Sequence, residues 1–520
     1  MSSEEFAIRE EKLKEIRSLG VDPYPHKFTP THKAASLNES YADQPVGNSE
    51  EAEKKETPEV TLSGRLVLFR AMGKNAFAHI QDESGRIQIM FNKQNSKVLG
   101  YEPIGANALS PMKFIEKKFD LGDIIGVKGN LFRTQKGELT LFVQEVTLLC
   151  KTLMPLPDKH AGLHDKETRY RKRWLDLIAN EEVRNTFKVR SEIIKTIRET
   201  FYQQNFMEVE TPVLQSTYGG ADAKPFTTEL HALNQEMFLR ISLEIPLKKL
   251  LVGGLDRVFE IGKVFRNEGI DRNHNPEFTL LEAYGAYLDY NDLMKLVEDL
   301  FESIALKVLG TTKVPAQIPG TDEVVEIEMK APWKRLSMHD AIKELGGFDP
   351  DPLTDDEMKE KLLKSGHIDP KKLKTMSRGL LIAALFEIFA EPKLIQPCHI
   401  IDHPIETTPF CKRHRDPLLR EKGLVERFET FILKNEMCNA YSELNDPELQ
   451  KYLLEQQALR KDSGDEEAAP YDEEFIEAIS QGMPPTGGVG IGIDRLVMLF
   501  TEAVSIRDVL FFPWMKPQDL

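Results

Sequence analysis

Cysteine is scarce in this chain: four among 520 residues, Cys150, Cys398, Cys411 and Cys438, none in a CxxC pair. That scarcity argues against a disulfide frame or structural zinc and for a reducing compartment, each thiol being a small buried hydrophobe. Long apolar runs are missing too. No stretch approaches the roughly 18 to 20 residues needed to span a bilayer, so no membrane association is expected. The N-terminal MSSEEFAIREEKLKEIRSLG is charged and helical in period rather than a secretory signal, which points to the cytoplasm. Basic residues are outnumbered, 68 Lys and Arg against 84 Asp and Glu, for a net charge of -16. This total opposes a phosphate-rich partner, but distribution outweighs it. Residues 61–150 hold twelve Lys and Arg against eight Asp and Glu. The linker that follows adds Lys159, Lys166, Arg169, Arg171, Lys172 and Arg173. A basic module on an acidic body is compatible with RNA binding.

At this length the chain exceeds one hydrophobic core and divides into two to four domains. Over residues 1–59, Ile8, Leu13, Ile16 and Leu19 predict a weakly amphipathic helix stopped by Gly20, Pro23 and Pro25. The polar stretch 29–59 then reads as a flexible connector. From Val60 the pattern turns to VTLSGRLVLFRAMG, NAFAHIQDESG, RIQIMFN, DIIGVKGNLFRT and GELTLFVQEVTLL, five strands with an excursion at 92–119. Five strands so connected over residues 60–150 predict an OB-type barrel, with another small β-barrel as the alternative. A linker at 151–175 leads to a large α/β region over 176–520, with a mostly helical insertion at about 331–395. Its first helix sets Phe187, Ile194, Ile197 and Phe201 on one stripe.

Three segments of the large region carry chemistry. NFMEVETPVL (205–214) follows the amphipathic helix, and its Pro212 belongs at a sheet edge or bulge. VFRNEGIDRNHNPEF (264–278) is a polar turn between β-type runs, carrying Arg266, Glu268, Arg272 and His274. A guanidinium at a strand end can grip phosphate and carboxylate together, and Phe278 could stack on a purine. GGVGIGIDRLVMLF (487–500) places Gly488, Gly490 and Gly492 on one strand face, where a flat ligand could approach the backbone, with Arg495 at the start of the next helix. The glycine spacing is not GxGxxG and no GxxxxGK[ST] loop occurs, which weighs against dinucleotide and P-loop folds.

In this order the three segments resemble the signature motifs of class II aminoacyl-tRNA synthetases, and the preceding OB-type domain places the resemblance in the aspartyl, asparaginyl and lysyl subgroup. The resemblance implies an α+β protein: an OB-fold anticodon-binding barrel, then a catalytic domain built on an antiparallel sheet flanked by helices. It also implies a homodimer formed through the segment around Pro212. KTMSR (374–378) and HIDP (367–370) loosely resemble the class I signature, but they fall in the helical insertion and read as surface.

Within the subgroup, the amino acid is chosen by the charge lining its pocket. A cationic side chain must be paired when desolvated, and the candidate residues Glu244, Glu282 and Glu443 are acidic. Resemblance to the bacterial-type lysyl enzymes then implies particular roles. Gly220 and Glu244 would hold the α-ammonium of L-lysine and Arg266 its carboxylate. Glu282, Tyr284 and Glu443 would surround the ε-ammonium, with Asn439 and Tyr441 closing the wall. For ATP, Arg266 would meet the α-phosphate and Arg495 the γ-phosphate. Glu268 and the main chain near Asn275 would read adenine, Phe278 would stack on it, and His274 would lie near the pyrophosphate. Glu429 and Glu436, on one face if RFETFILKNEM is helical, would hold Mg2+, of which the family binds two to three ions. In the barrel, Phe77 would stack on an anticodon base of tRNA(Lys), while Arg70, Gln88 and Glu138 would bond to base edges. The chain departs from the family at Tyr441, often phenylalanine, and at Ser242-Leu243, often Ala-Pro. The implied reaction is ATP-dependent activation of L-lysine and its transfer to the 3′ end of tRNA(Lys). The alternatives are a paralogue that lysylates a protein and an aspartyl or asparaginyl specificity.

Overall fold

The computed structural model describes residues 3–104, 108–157, 163–462 and 467–517; Lys159 of the cationic linker lies outside them. The chain forms two compact units, Met1–Gly162 and Leu163–Leu520.

In the first unit the strands are β1 (Glu59–Met72), β2 (Asn75–Gln81), β3 (Arg86–Asn92), a short β4 (Lys97–Val98), β5 (Ile124–Arg133) and β6 (Leu139–Cys150). They run in the order β3-β2-β1-β5-β6, and parallel pairing of β3 with β6 closes the five long strands into a barrel. Alternation along the strands sends Val60, Leu62, Ile80, Ile89, Val127 and Leu141 into its core. The excursion at 92–119 contributes helix Pro111–Lys118, capped by Ser110, whose Phe114 packs on Tyr101 with ring centroids 4.4 Å apart. Beneath one end, the buried Lys151 ammonium lies 2.5 Å from Asp120 and 2.9 Å from Asp123.

Two expectations for this unit change. In helix Ser3–Ser18, Leu13 and Ile16 are buried but Ile8 and Leu19 stay exposed. Arg9 turns inward in place of Ile8, donating to Leu121 O at 3.2 Å and Thr152 Oγ1 at 3.1 Å. Residues 29–59 pack on the barrel rather than forming a free connector: they carry helices Ala34–Ser40 and Ser49–Glu53. Ala34, Leu37 and Val46 join the barrel core, and Ala52 packs against Met90, Phe132 and Phe142. A few well-spaced apolar side chains are enough to dock a polar segment onto an existing apolar surface.

The second unit adds β7 (Met207–Glu208), β8 (Leu214–Gln215), β9 (Thr227–Leu230), β10 (Gln235–Leu239), β11 (Arg257–Phe265), β12 (Glu277–Ala286), β13 (Lys313–Gln317), β14 (Val324–Glu328), β15 (Lys334–Ser337), β16 (Cys398–Pro404), β17 (Leu424–Ile432), β18 (Asn435–Ser442) and β19 (Thr486–Gly492). Its main sheet has the order β15-β16-β17-β18-β19-β12-β11-β7. The six inner strands are antiparallel, and only the outer pairs β15/β16 and β7/β11 are parallel. Helices Glu181–Gln203 and Tyr290–Leu309 pack on each other and share the core with this sheet. The first buries Phe187, Ile197 and Phe201 but leaves Ile194 only partly covered, and Phe201 stacks on Phe259 at 5.0 Å. The second begins with an Asp289/Asp292 capping box and ends at left-handed Gly310. NFMEVETPVL forms only the two-residue edge strands β7 and β8, with exposed Pro212 between them. The insertion starts with β15 and continues as helices around Leu362, Leu381, Leu385 and Phe386. There Arg378 of KTMSR pairs with Asp355 at 3.0 Å on the surface.

Candidate active site

A cavity of about 500 Å³ opens on the main sheet. Its floor follows from strand register. Glu429, Asn439, Gly490 and Glu282 stand side by side across β17, β18, β19 and β12. Two residues along, Arg427, Tyr441, Gly488 and Tyr284 form a second row. Because side chains alternate across a strand, both rows face the same way, and all eight residues line the cavity.

The acidic end is densely bonded. Glu282 is buried; its Oε1 accepts from Ser242 Oγ at 2.7 Å and Leu243 N at 3.0 Å, and its Oε2 from Tyr284 OH at 2.8 Å. Glu244 Oε2 accepts from Tyr441 OH at 2.8 Å. The departures at 242, 243 and 441 are thus chemically of one kind. Each supplies a donor that alanine, proline or phenylalanine would lack, and each donor ends on a pocket carboxylate. Burial, reinforced by the Glu244 charge, pushes the Glu282 carboxyl up to about 7, against the pull of those hydrogen bonds. Gly220 sits at φ +84 beside this wall, where a β-carbon would lie 2.9 Å from Ser242 Oγ.

Glu443 differs from its expected neighbours. It is fully buried and stands behind the cavity wall rather than in it. Its Oε2 pairs with Lys248, while Oε1 has no hydrogen-bond partner among the described residues and lies over the bare face of Gly488. A β-carbon at Gly488 would run into Glu443 Oε1 and the Tyr284 ring. That glycine therefore makes room for protein side chains, whereas Gly490 and Gly492 leave the floor open.

At the other end, Arg266 Nε donates to Ile241 O at 3.3 Å and its guanidinium lies 5.2 Å from the Phe278 ring centroid. Arg495 donates to Glu436 O at 2.7 Å, and its Nη2 lies 3.5 Å from His274 Nε2. Asp494, one residue earlier, accepts from Thr279 N at 2.8 Å and pairs with Arg190 at 2.6 Å, fixing the helix that presents Arg495. Glu268, His274, Asn275 and Phe278 also line the cavity. Glu429 and Glu436 do as well, but from a β-hairpin and not a helix. The left-handed Leu433-Lys434 turn (φ 51 and 64) makes the reversal. A register shift between Thr430 and Phe431 brings both carboxylates to the cavity side. Burial and the nearby Glu429 push the Glu436 carboxyl up, with Arg495 pulling back. Two crowded carboxylates are hard oxygen donors that suit Mg2+, which takes its remaining ligands from phosphate and water. Among the described residues no cluster of three or more such ligands occurs.

Two residues that the sequence reading did not single out belong here. Arg427 joins Glu429 at 2.5 Å and donates to Asn439 Oδ1 at 3.0 Å. Lys248 has all of its side chain buried, 2.5 Å from Glu244. The i,i+4 spacing of Glu244 and Lys248 was the available signal.

On the barrel, Phe77 pairs in register with exposed Arg70 and with Met90, and its ring is partly covered by the Met90, Phe132 and Phe142 cluster. Gln88 donates to Glu138 Oε2 at 2.7 Å, and His79 Nε2 lies 2.9 Å from Glu138 Oε1. His79 therefore joins the four expected residues; its alternation with Phe77 had marked the shared face.

Comparison with known proteins agrees with this geometry. Residues 165–516 match the family described as tRNA synthetases class II (D, K and N), and residues 60–149 match the OB-fold nucleic acid binding domain. A lysine–tRNA ligase of Chlamydia caviae is 55% identical over 517 residues, covering 99% of this chain and 98% of the relative. One from Nostoc punctiforme is 46% identical over 519 residues (100% and 89%), and one from Clostridium botulinum 46% over 513 residues (98% and 95%).

Proposed function

From the premise that the chain belongs to the class II tRNA synthetases (D, K and N), we propose that its cavity activates L-lysine with ATP for transfer to tRNA(Lys). The enzyme is an aminoacyl-tRNA ligase whose amino acid is lysine. The observation that carries the amino-acid assignment is the buried acid at one end of the cavity, Glu244 and Glu282 in the wall with Glu443 over the bare face of Gly488. Buried carboxylates stabilise a dicationic substrate and repel aspartate.

In this reading Gly220 and Glu244 take the α-ammonium, and Glu282 and Tyr284 take the ε-ammonium between Asn439 and Tyr441, with Glu443 adding its charge from outside the cavity lining. Arg266 holds the lysine carboxylate against the α-phosphate. Carboxylate oxygen attacks the α-phosphorus, the bond to the bridging oxygen breaks, and pyrophosphate leaves with that electron pair. No protein nucleophile is needed; positioning and charge neutralisation by Arg266 and Arg495 suffice. Glu268 and the backbone at Asn275 read adenine over Phe278, with His274 beside the pyrophosphate. Glu429 and Glu436 would hold Mg2+, which neutralises phosphate charge when bound. On the barrel, Arg70, Phe77, Gln88 and Glu138 read anticodon bases by stacking and edge contacts. The exposed apolar side chains Tyr202, Met207, Val213 and Leu214 around Pro212 support a homodimer through that edge. Among the described residues no helix is long and apolar enough to cross a membrane, and we place the enzyme in the cytoplasm.

The deciding test is ATP–pyrophosphate exchange with each of the twenty amino acids. Lysine alone should support fast exchange; stimulation by aspartate or asparagine instead would overturn the assignment.

A further inference from the structure

We propose that Lys248 is a specificity-determining positioning residue, an internal cation that sets the charge of the amino-acid pocket so that two substrate ammonium groups neutralise it. The inference rests on the lysine reading of the cavity.

Lys248 lies in helix Glu244–Val252, one turn after Glu244, and its ammonium is clamped between the carboxylates of Glu244 and Glu443. Phe410 stands 4.8 Å from that ammonium, Tyr441 5.6 Å, and Tyr284 and Phe475 each 6.0 Å, measured to ring centroids. It lies outside the residues that line the cavity. A buried lysine among aromatic rings is expensive to desolvate, and an apolar residue would pack there at least as well. What an apolar residue could not do is change the charge count.

Three buried carboxylates, Glu244, Glu282 and Glu443, enclose this end. Arg427 is engaged by Glu429, and Arg266 is reserved for the substrate carboxylate. Fully ionised, the empty end would carry three negative groups against one positive. Burial alone would push the Lys248 ammonium down, but Glu244 and Glu443 outweigh it and hold it up. The excess appears instead on the carboxylates, where burial drives Glu443 well above the usual range despite Lys248. The two ammonium groups of lysine complete three positive charges against three negative. An amino acid with a neutral side chain leaves one buried carboxylate uncompensated. Without Lys248 even lysine would leave one.

The test measures lysine and ATP KM by exchange on the full chain carrying Glu443→Gln, Lys248→Met, or both. Methionine keeps the unbranched shape of the lysine stem. Each single change should raise the lysine KM about tenfold or more with little effect on ATP, a loss of about 1.4 kcal/mol per decade. The double variant restores neutrality, two carboxylates against two ammonium groups, so adding Lys248→Met to Glu443→Gln should lower the lysine KM. Should Lys248→Met alone fail to fold, the double variant compared with Glu443→Gln still decides, since both lack the Glu443 charge. If the double variant binds lysine more weakly than Glu443→Gln, Lys248 is a packing element and the proposal is overturned. If Glu443→Gln itself leaves the lysine KM unchanged, the lysine reading of the pocket falls, and this inference with it.

Discussion

Lowering the pH from 8 to 6 should weaken lysine binding about tenfold, and the group responsible is Glu282. Its carboxyl, ordinarily at 4.5, stands at about 7 in the empty cavity. That displacement corresponds to about 3 kcal/mol against the ionised form, at roughly 1.4 kcal/mol per pH unit. The charged and titratable groups that face it are Glu244, Tyr284, Glu443 and Arg266. An arriving ammonium favours the carboxylate, so lysine binds the ionised form and expels the proton. At pH 6 about nine-tenths of the empty sites hold that proton, and at pH 8 about one-tenth, which gives the tenfold change. Calorimetry in buffers of different ionisation enthalpy should count about half a proton released per lysine at pH 7. Glu282→Gln should release about half a proton fewer than the unchanged enzyme at pH 7 and should bind lysine weakly at both pH values. The sign for stability is opposite to that of a salt-bridged carboxylate. A raised carboxyl contributes stability that is complete below 4.5 and is lost as pH rises through 7, so the lysine-free enzyme should melt lower at pH 8 than at pH 5.5. Equal lysine affinity at pH 6 and 8, with no proton released, would refute the reasoning.

Other changes test other parts. Arg266→Ala should cut lysine-dependent exchange by about 100-fold or more, the usual loss when a charge-stabilising donor is removed; near-normal exchange would take Arg266 out of the site. Phe77→Ala should impair tRNA charging by roughly 5- to 100-fold, corresponding to about 1–3 kcal/mol of stacking, with exchange intact. An equal fall in both activities would make Phe77 structural. Gly488→Ala should cost about 1–3 kcal/mol by overpacking against Glu443 and Tyr284, read as a lower Tm together with a higher lysine KM. Asp123→Asn strips a partner from buried Lys151 and should destabilise the barrel unit by about 3–5 kcal/mol in denaturant titration.

Much of the site was legible because it is written in strand periodicity. Gly488, Gly490 and Gly492 share a face by alternation alone, and so do Phe77 and His79 on β2. The two-domain plan was equally legible, because a change from strand-length alternation to helical stripes shows in composition and spacing. The sequence does not decide between helix and hairpin for Glu429 and Glu436, since seven-residue spacing fits one helix face as readily as it fits two strands joined by a turn. The turn itself uses Leu433 and Lys434 in left-handed geometry, which no local residue preference announces. Residues 29–59 looked unstructured because their few apolar side chains gain nothing until a barrel exists to receive them.

By itself the sequence determined the barrel strands, the order of the motifs and the acidic character of the pocket, because those depend on local spacing and residue type. Only the tertiary structure decided that Glu443 stands outside the cavity lining, that Lys248 lies between it and Glu244, and that Ser242, Leu243 and Tyr441 all donate to pocket carboxylates. Such pairings join positions up to 197 residues apart. They are set by cross-strand register and by the need of each buried charge for a partner, and neither can be read from neighbours in the chain.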